Sequence, residues 1–342
     1  MNNLTTVALK APYLILIGDV EDAKSVKTGQ GIVQWRPERV AGQLRFPGCP
    51  IDLGVPDLSV AAAVAAGVKS LIIGVAPVGG TVPDSWWAVV EEAATAGMDI
   101  VCGLHAPLAN IPAIVKAANK SGARLIDVRS APADLPIGTG KPRSGRRLLM
   151  VGTDCAVGKK YSALGIQKAM CNAGMNSTFR ATGQTGIMIA GSGVAIDAVV
   201  ADFVAGAAEL LSPENDPDHW DVIEGQGSLF HPGYAGVSLS LLHGSQPDAI
   251  VVCHQAYRQE ISGWPGFATP TITACIERNL QAGQLTNPEI QCVGVCVNTA
   301  GLTTEQRSSY LQTLENETGL PCVDPLLNGC DDIVGYIQHQ LS

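Results

Sequence analysis

The chain has 342 residues, which at ~150 residues per domain predicts two domains. Hydrophobic residues make up 46 % and charged residues 15 %, enough apolar material for a large core, which excludes a disordered protein. Twenty-two basic against 31 acidic residues give a net charge of −9; with no long basic run, this argues against general nucleic-acid binding.

The first apolar run, Ala11 to Gly18, is shorter than the ~18 residues of a membrane span and lacks a following small-residue cleavage pattern. It reads as a buried strand, and no membrane partner is expected. Further strands are predicted at Leu71–Val75, Ile100–Leu104 and Arg124–Val128. Helices are predicted at Val60–Ala66, Ser85–Ala96 and Ile111–Lys120. Consecutive apolar positions fit strands covered on both faces, and their alternation with helices fits a parallel sheet. The polar stretch after the first strand (Asp19, Lys27, Thr28, Trp35, Arg36, Arg39) reads as a loop that caps a site, recognises substrate or touches another subunit. GVAPVGG (Gly74 to Gly80) and GLHAPL with His105 also follow strands, but neither has G-x-G-x-x-G spacing.

From Ala131 to Arg147 the rhythm breaks into APADLPIGTGKPRSGRR, which places a domain boundary. Its basic cluster (Lys141, Arg143, Arg146, Arg147) is read as a solvated linker, with a phosphate contact as the alternative. Beyond it, strands are predicted at Leu148–Gly152, Thr178–Ala181, Val222–Glu224, Ala249–Cys253 and Val293–Asn298. Helices are predicted at Lys159–Asn172, Ile196–Leu211, Gly236–Leu242, Thr271–Ala282, Thr304–Glu317 and Asp331–Gln340. Ten cysteines are spread along the chain without a C-x-x-C pair or a nearby His pair. They read as free thiols in a reducing cytoplasm, with no zinc site.

The strongest chemical signal is LLMVGTDCAVGKKYSALGI (Leu148 to Ile166). An apolar strand enters a glycine-bearing turn and leaves as a helix, the setting of a phosphate-binding loop. The residues Gly152, Thr153, Asp154, Cys155, Ala156, Val157, Gly158, Lys159 and Lys160 are the expected phosphate ligands. Lys160 follows Lys159 where a magnesium-holding Ser or Thr would stand, and Gly152 to Gly158 is one residue longer than G-x-x-x-x-G-K.

GTDCAVGK resembles the GTD-x-x-VGK loop of dethiobiotin synthetase and its relatives, and IEGQG (Ile223 to Gly227) resembles their acidic second segment. That resemblance implies magnesium on Asp154 and Glu224. A closer one runs over nearly the whole chain. GDVEDAKSVKTGQGIVQWRPERVAGQ (Gly18 to Gln43), GTDCAVGKK, and IEGQGSLFHPGYAGVSLSLLHGSQPDAIVVCHQ (Ile223 to Gln255) are similar to the D-glutamate N-acetyltransferase family, once catalogued as a domain of unknown function. This implies an α/β fold with a Rossmann-like domain over residues 1–140 and a P-loop domain over residues 141–342. It also implies acetyl transfer from acetyl-CoA to the amine of D-glutamate. The alternative is an ATP- and magnesium-dependent ligase or kinase of the dethiobiotin synthetase type.

N-acetylation needs a base for the ammonium, donors for an oxyanion and cations for carboxylates. Glu224, His231 and His254 are the candidate catalytic residues. Gln226, Ser228, Arg180 and Arg258 are candidates for holding substrate, the arginines through bidentate grips. Asn298, at the end of GVCVN, sits where related P-loop enzymes contact the nucleotide base, so that resemblance makes it the candidate for this contact; ATGQTG (Ala181 to Gly186) is a loop that could line the pocket. A homo-oligomer acting on a small molecule is expected.

Overall fold

The computed structural model describes residues 9–23, 25–76, 82–104, 106–132 and 134–341. His105 and the Pro77–Gly80 part of GVAPVGG lie outside them. The chain divides into two compact units. One comprises Met1–Ala131 with Gly183–Ala198, the other Pro132–Thr182 with Val199–Ser342.

In the first unit the order is β1 (Tyr13–Gly18), α1 (Lys27–Trp35), β2 (Val40–Arg45), α2 (Val60–Ala65), β3 (Ser70–Ile73), α3 (Trp86–Thr95), β4 (Asp99–Cys102), α4 (Pro112–Ser121) and β5 (Leu125–Asp127). The strands form a parallel sheet in the order β2-β1-β3-β4-β5. Every residue of β1, β3 and β4 is buried, as unbroken apolar runs require. The polar stretch read as a loop instead contains α1 and leads directly into β2. Helix α1 carries two glycines and has weak intrinsic propensity. Its Gly29 packs against the main chain, donating its N–H to the Gly74 carbonyl at 2.8 Å, and a Cβ there would sit 3.2 Å from that oxygen. Close backbone approach, invisible to propensity, makes this helix.

The second unit holds β6 (Arg146–Gly152), α5 (Lys159–Asn172) and β7 (Ser177–Arg180). Next comes α6 (Gln184–Ala190), which belongs to the first unit and packs on α1. The rest of the second unit is α7 (Val204–Leu211), β8 (Trp220–Ile223), α8 (Ala235–Ser245), β9 (Ala249–Gln255), α9 (Ile272–Gly283), β10 (Gln291–Asn298), α10 (Thr304–Thr318), β11 (Cys322–Val323) and α11 (Asp331–Gln340). The six strands are parallel in the order β11-β10-β9-β6-β8-β7. Strand order reverses between β6 and β9, and ligands of such sheets bind beyond the carboxyl ends of the strands at that point. Leu149, Val151, Ile250, Val252, Val295 and Val297 form the core that fixes these strand ends.

Two expectations are corrected here. The helix expected over Ile196–Leu211 is two short 3-10 turns followed by α7. The chain leaves the first unit at Ala198 and enters the second at Val199; Val200 is extended there, so no single helix continues. The basic linker is solvated only in part: Lys141 is exposed, while Arg143 and Arg146 are half-buried. Arg147 is buried, and Arg143 donates to the carbonyls of Gly244 and Ser245 at 2.9 and 3.0 Å, at the C-terminal end of α8 where cations are favoured. The Glu209 carboxylate accepts the Thr139 and Gly140 N–H groups, both at 2.7 Å, pinning the segment to α7.

Candidate active site

Strand β6 delivers Gly152 into a tight curl. Ala156 and Gly158 take the left-handed conformation, with φ of 54° and 109°, and α5 starts at Lys159. Bends of this kind aim successive amides at one point. Among the described residues, the N–H groups of Ala156, Val157, Gly158 and Lys159 have no acceptor. With the helix N-terminus behind them they form an anion cradle. Lys159 is 7 % exposed and donates to the Asp154 carbonyl at 2.7 Å. Burial pushes its ammonium pKa down, so the charge there is costly until an anion meets it. A Cβ on Gly152 would stand 3.0 Å from Val157, 3.1 Å from the Cys253 carbonyl and 3.3 Å from Lys159 Nζ, tighter than ordinary packing, so glycine lets the strand end lie close against the loop. Lys160 lies over the Tyr161 ring at 4.4 Å.

The loop is braced by an ion pair that the sequence did not announce. Asp154 is fully buried, and its Oδ2 accepts Arg258 Nη1 at 2.6 Å and the Ser262 N–H at 2.8 Å. Its Oδ1 accepts the Cys155 N–H at 2.6 Å. Arg258 Nη1 also donates to the Cys155 carbonyl at 2.8 Å. Arg258, expected to hold substrate, therefore holds the loop. Arg180 is likewise engaged: its Nε meets the buried Asp221 at 2.7 Å. Asp221 pairs in register with Thr178, so Arg180 leans back along the sheet, away from the strand ends.

Glu224 follows β8 and is 4 % exposed. Its Oε2 accepts the Thr182 N–H at 2.9 Å, and its carbonyl accepts Thr182 Oγ1 at 2.7 Å. Gln226 Nε2 donates to the same Thr182 hydroxyl at 3.1 Å, so ATGQTG contributes through Thr182. Gly225 brings this segment against the loop. A Cβ there would fall 1.6 Å from the Met150 carbonyl and 3.1 Å from Lys159 Cδ. Gly225→Ala is therefore expected to cost at least ~3 kcal/mol, the upper range of overpacking, read as a lower midpoint in urea. A midpoint equal to wild type would mean the two segments do not touch.

The histidines differ in what they can do. His254 Nδ1 is 2.9 Å from Thr153 Oγ1 and Nε2 is 3.1 Å from the Tyr310 hydroxyl. Both nitrogens are occupied, and burial together with the Arg258 charge lowers its pKa to about 4. The unfolded chain protonates this ring near pH 6.5 and the folded one near 4, so its contribution is complete above 6.5 and lost as pH falls towards 4. That loss is on the order of 3 kcal/mol. Urea unfolding at pH 7 and 4.5 should show a smaller acid loss for His254→Gln than for wild type; equal losses would refute the assignment. His231 is 1 % exposed and packs between Tyr234 and Trp264, at ring distances of 4.5 and 4.4 Å. Its Nδ1 accepts the Gly233 N–H at 3.1 Å, which leaves the proton on Nε2 and makes that atom a donor. Ser228 Oγ accepts the Phe230 N–H at 3.2 Å, shaping the turn. Asn298 ends β10, and its Oδ1 accepts the Ala300 N–H at 3.0 Å.

The structure thus gathers the loop, Arg258 and His254 on neighbouring strand ends, with Glu224 and Gln226 against the loop. Arg180 is turned away. Thr182 falls in the ATGQTG loop that the sequence offered; Tyr257, Trp264 and Tyr310 were not singled out, because lone aromatics carry no spacing signal.

Residues 136–334 match a family model described as a domain of unknown function (DUF1611_C), P-loop domain, and residues 45–131 match its partner, a Rossmann-like domain (DUF1611_N). The chain belongs to the DUF1611 family. It is 47 % identical over 329 residues to a D-glutamate N-acetyltransferase of a Pseudoalteromonas species, covering 96 % of this chain and 99 % of that relative. It is 44 % identical over 326 residues to a D-glutamate N-acetyltransferase of Tritonibacter scottomollicae, covering 95 % and 98 %. A crystal structure of a DUF1611 family protein from Anabaena variabilis superposes with a TM-score of 0.83 at 34 % identity, covering 97 % of this chain and all of that one. The Rossmann-like and P-loop expectations hold for this DUF1611 chain. Among the described residues, no helix is long and apolar enough to cross a membrane.

The magnesium site implied by the dethiobiotin synthetase resemblance does not fit this donor set. Both Asp154 oxygens are committed, one to a guanidinium, and Lys160 replaces the hydroxyl ligand. Asp154, Cys155 and His231 do bring ligand-type atoms within 4.8 Å of one another. Arg258, however, already stands on the Asp154 carboxylate, and the Gly233 N–H fixes the proton on His231 Nε2.

Proposed function

We propose that this DUF1611 protein is an N-acetyltransferase that moves the acetyl group of acetyl-CoA to the amine of D-glutamate. The observation that carries the reading is the near-complete alignment with two D-glutamate N-acetyltransferases at 44–47 % identity. The anion cradle supports it from the other side. Acetyl-CoA presents a diphosphate and a ribose phosphate, which amides and a lysine can hold without hydrolysing anything.

Acetyl-CoA supplies an activated acyl carbon with a thiol leaving group. The chain's own residues do the rest. Of the three candidate bases, His254 has both nitrogens engaged and His231 presents a proton at Nε2. Glu224 is left to take the ammonium proton. The amine nitrogen bonds to the acetyl carbon, the carbon–sulfur bond breaks, and the thiolate leaves with the second proton shed by that nitrogen, so that amide and free thiol are formed while Glu224 keeps the first. His231 Nε2 donates towards the carbonyl oxygen as negative charge grows on it. Because the Glu224 segment lies against the loop, the acetyl end of the donor would have to come back towards the loop to reach it. Gln226 and Ser228 line the same turn as substrate contacts. Ten free cysteines favour a reducing, cytoplasmic setting.

Thiol release from acetyl-CoA should require D-glutamate, give N-acetylglutamate by mass, and be unaffected by EDTA. Release of ADP from ATP in place of thiol would overturn the reading in favour of a ligase.

A further inference from the structure

Among the described non-glycine residues with positive φ, Tyr257 carries the bulkiest side chain. It takes φ of 58°, a conformation that is an outlier for a bulky side chain. Its ring is 60 % exposed, so burial does not explain the strain. Positions held this way cluster at ligand sites, where the surrounding structure fixes them.

The surroundings here are specific. The turn that carries Tyr257 is tied on one side to the phosphate cradle, because Arg258 holds Asp154 and the Cys155 carbonyl. On the other side it is tied to β10, because the Ala256 N–H donates to the Asn298 carbonyl at 3.0 Å. The Tyr257 ring stands edge-on to Tyr310 at 5.0 Å and 66°. Tyr310 reaches His254, and His254 reaches Thr153 inside the loop. An exposed aromatic face is thus wired through two side chains to the cradle. Beside it, Asn298 turns its Oδ1 to Ala300, and its Nδ2 has no acceptor among the described residues, which leaves an amide donor at the same strand end.

We propose that Tyr257 is the stacking platform for the adenine ring of the donor, beside the Asn298 amide that the P-loop resemblance already makes the contact to the base. This rests on the reading that the loop holds the donor's phosphates, and it names where the base goes. An aromatic face accepts any base without reading its edge, so the amide supplies the orientation.

Calorimetric titration with ADP, which carries base and diphosphate, and with inorganic pyrophosphate, which carries no base, tests this. Tyr257→Gly removes the ring and relieves the strained φ, so it should fold at least as well as wild type. It should weaken ADP about tenfold, the loss of one base–aromatic stack, and leave pyrophosphate unchanged. Tyr257→Phe should keep ADP affinity. Equal weakening of both probes, no weakening of either, or no ADP binding to wild type would overturn the platform. Absence of acetyl transfer in a wild-type protein that still shows the ADP-selective loss would instead sink the acetyltransferase reading and leave the platform standing.

Discussion

Glu224→Gln is expected to slow acetyl transfer by ~10²–10⁴-fold, the usual contribution of a positioned base, while D-glutamate binding changes little. The substitution keeps the volume and can still accept the Thr182 N–H, which holds the carboxylate at 2.9 Å. What it removes is the capacity to take a proton. Thr182 also bonds the Glu224 carbonyl and receives Gln226, so the segment's shape should survive. Initial rates over a range of D-glutamate, beside a direct binding isotherm, separate the two effects. A variant that turns over near the wild-type rate would remove Glu224 from the role of base.

The second large effect falls on stability. Arg258→Met should strand the fully buried Asp154 carboxylate, and breaking a buried ion pair from one side costs about 3–5 kcal/mol. The Ser262 and Cys155 N–H groups remain as partners, but neither brings a charge. Chemical denaturation should show this loss, and addition of Asp154→Asn should recover part of it because the uncompensated charge is gone. Anion affinity should fall in the single variant, since the loop loses its brace at the Cys155 carbonyl. A double variant no more stable than Arg258→Met would mean the pair carries no coupling.

Much of the second unit was legible because its chemistry is local. The curl from Gly152 to Lys159 and the helix Lys159–Asn172 were read to the residue, since glycine, lysine and an apolar stripe all point the same way. The arrangement around the curl was not. Arg258 lies 104 residues from Asp154, and pairing over that span leaves no periodic trace. The two arginines assigned to substrate were assigned by type, and each turned out to answer a buried aspartate. In the first unit, α1 was missed because its glycines lower propensity while serving a close main-chain contact. The broken stretch over Ile196–Leu211 was misread because apolar spacing does not record where a chain passes between units.

The most direct measurement compares two donors, acetyl-CoA and S-acetylpantetheine, which lacks the phosphates and the adenine. Wild type should use acetyl-CoA at far lower concentration. Lys159→Ala should raise KM for acetyl-CoA and leave S-acetylpantetheine unchanged, so that the preference between donors collapses. Equal impairment of the two donors by Lys159→Ala, with the wild-type preference intact, would contradict a cradle that grips the donor's phosphates.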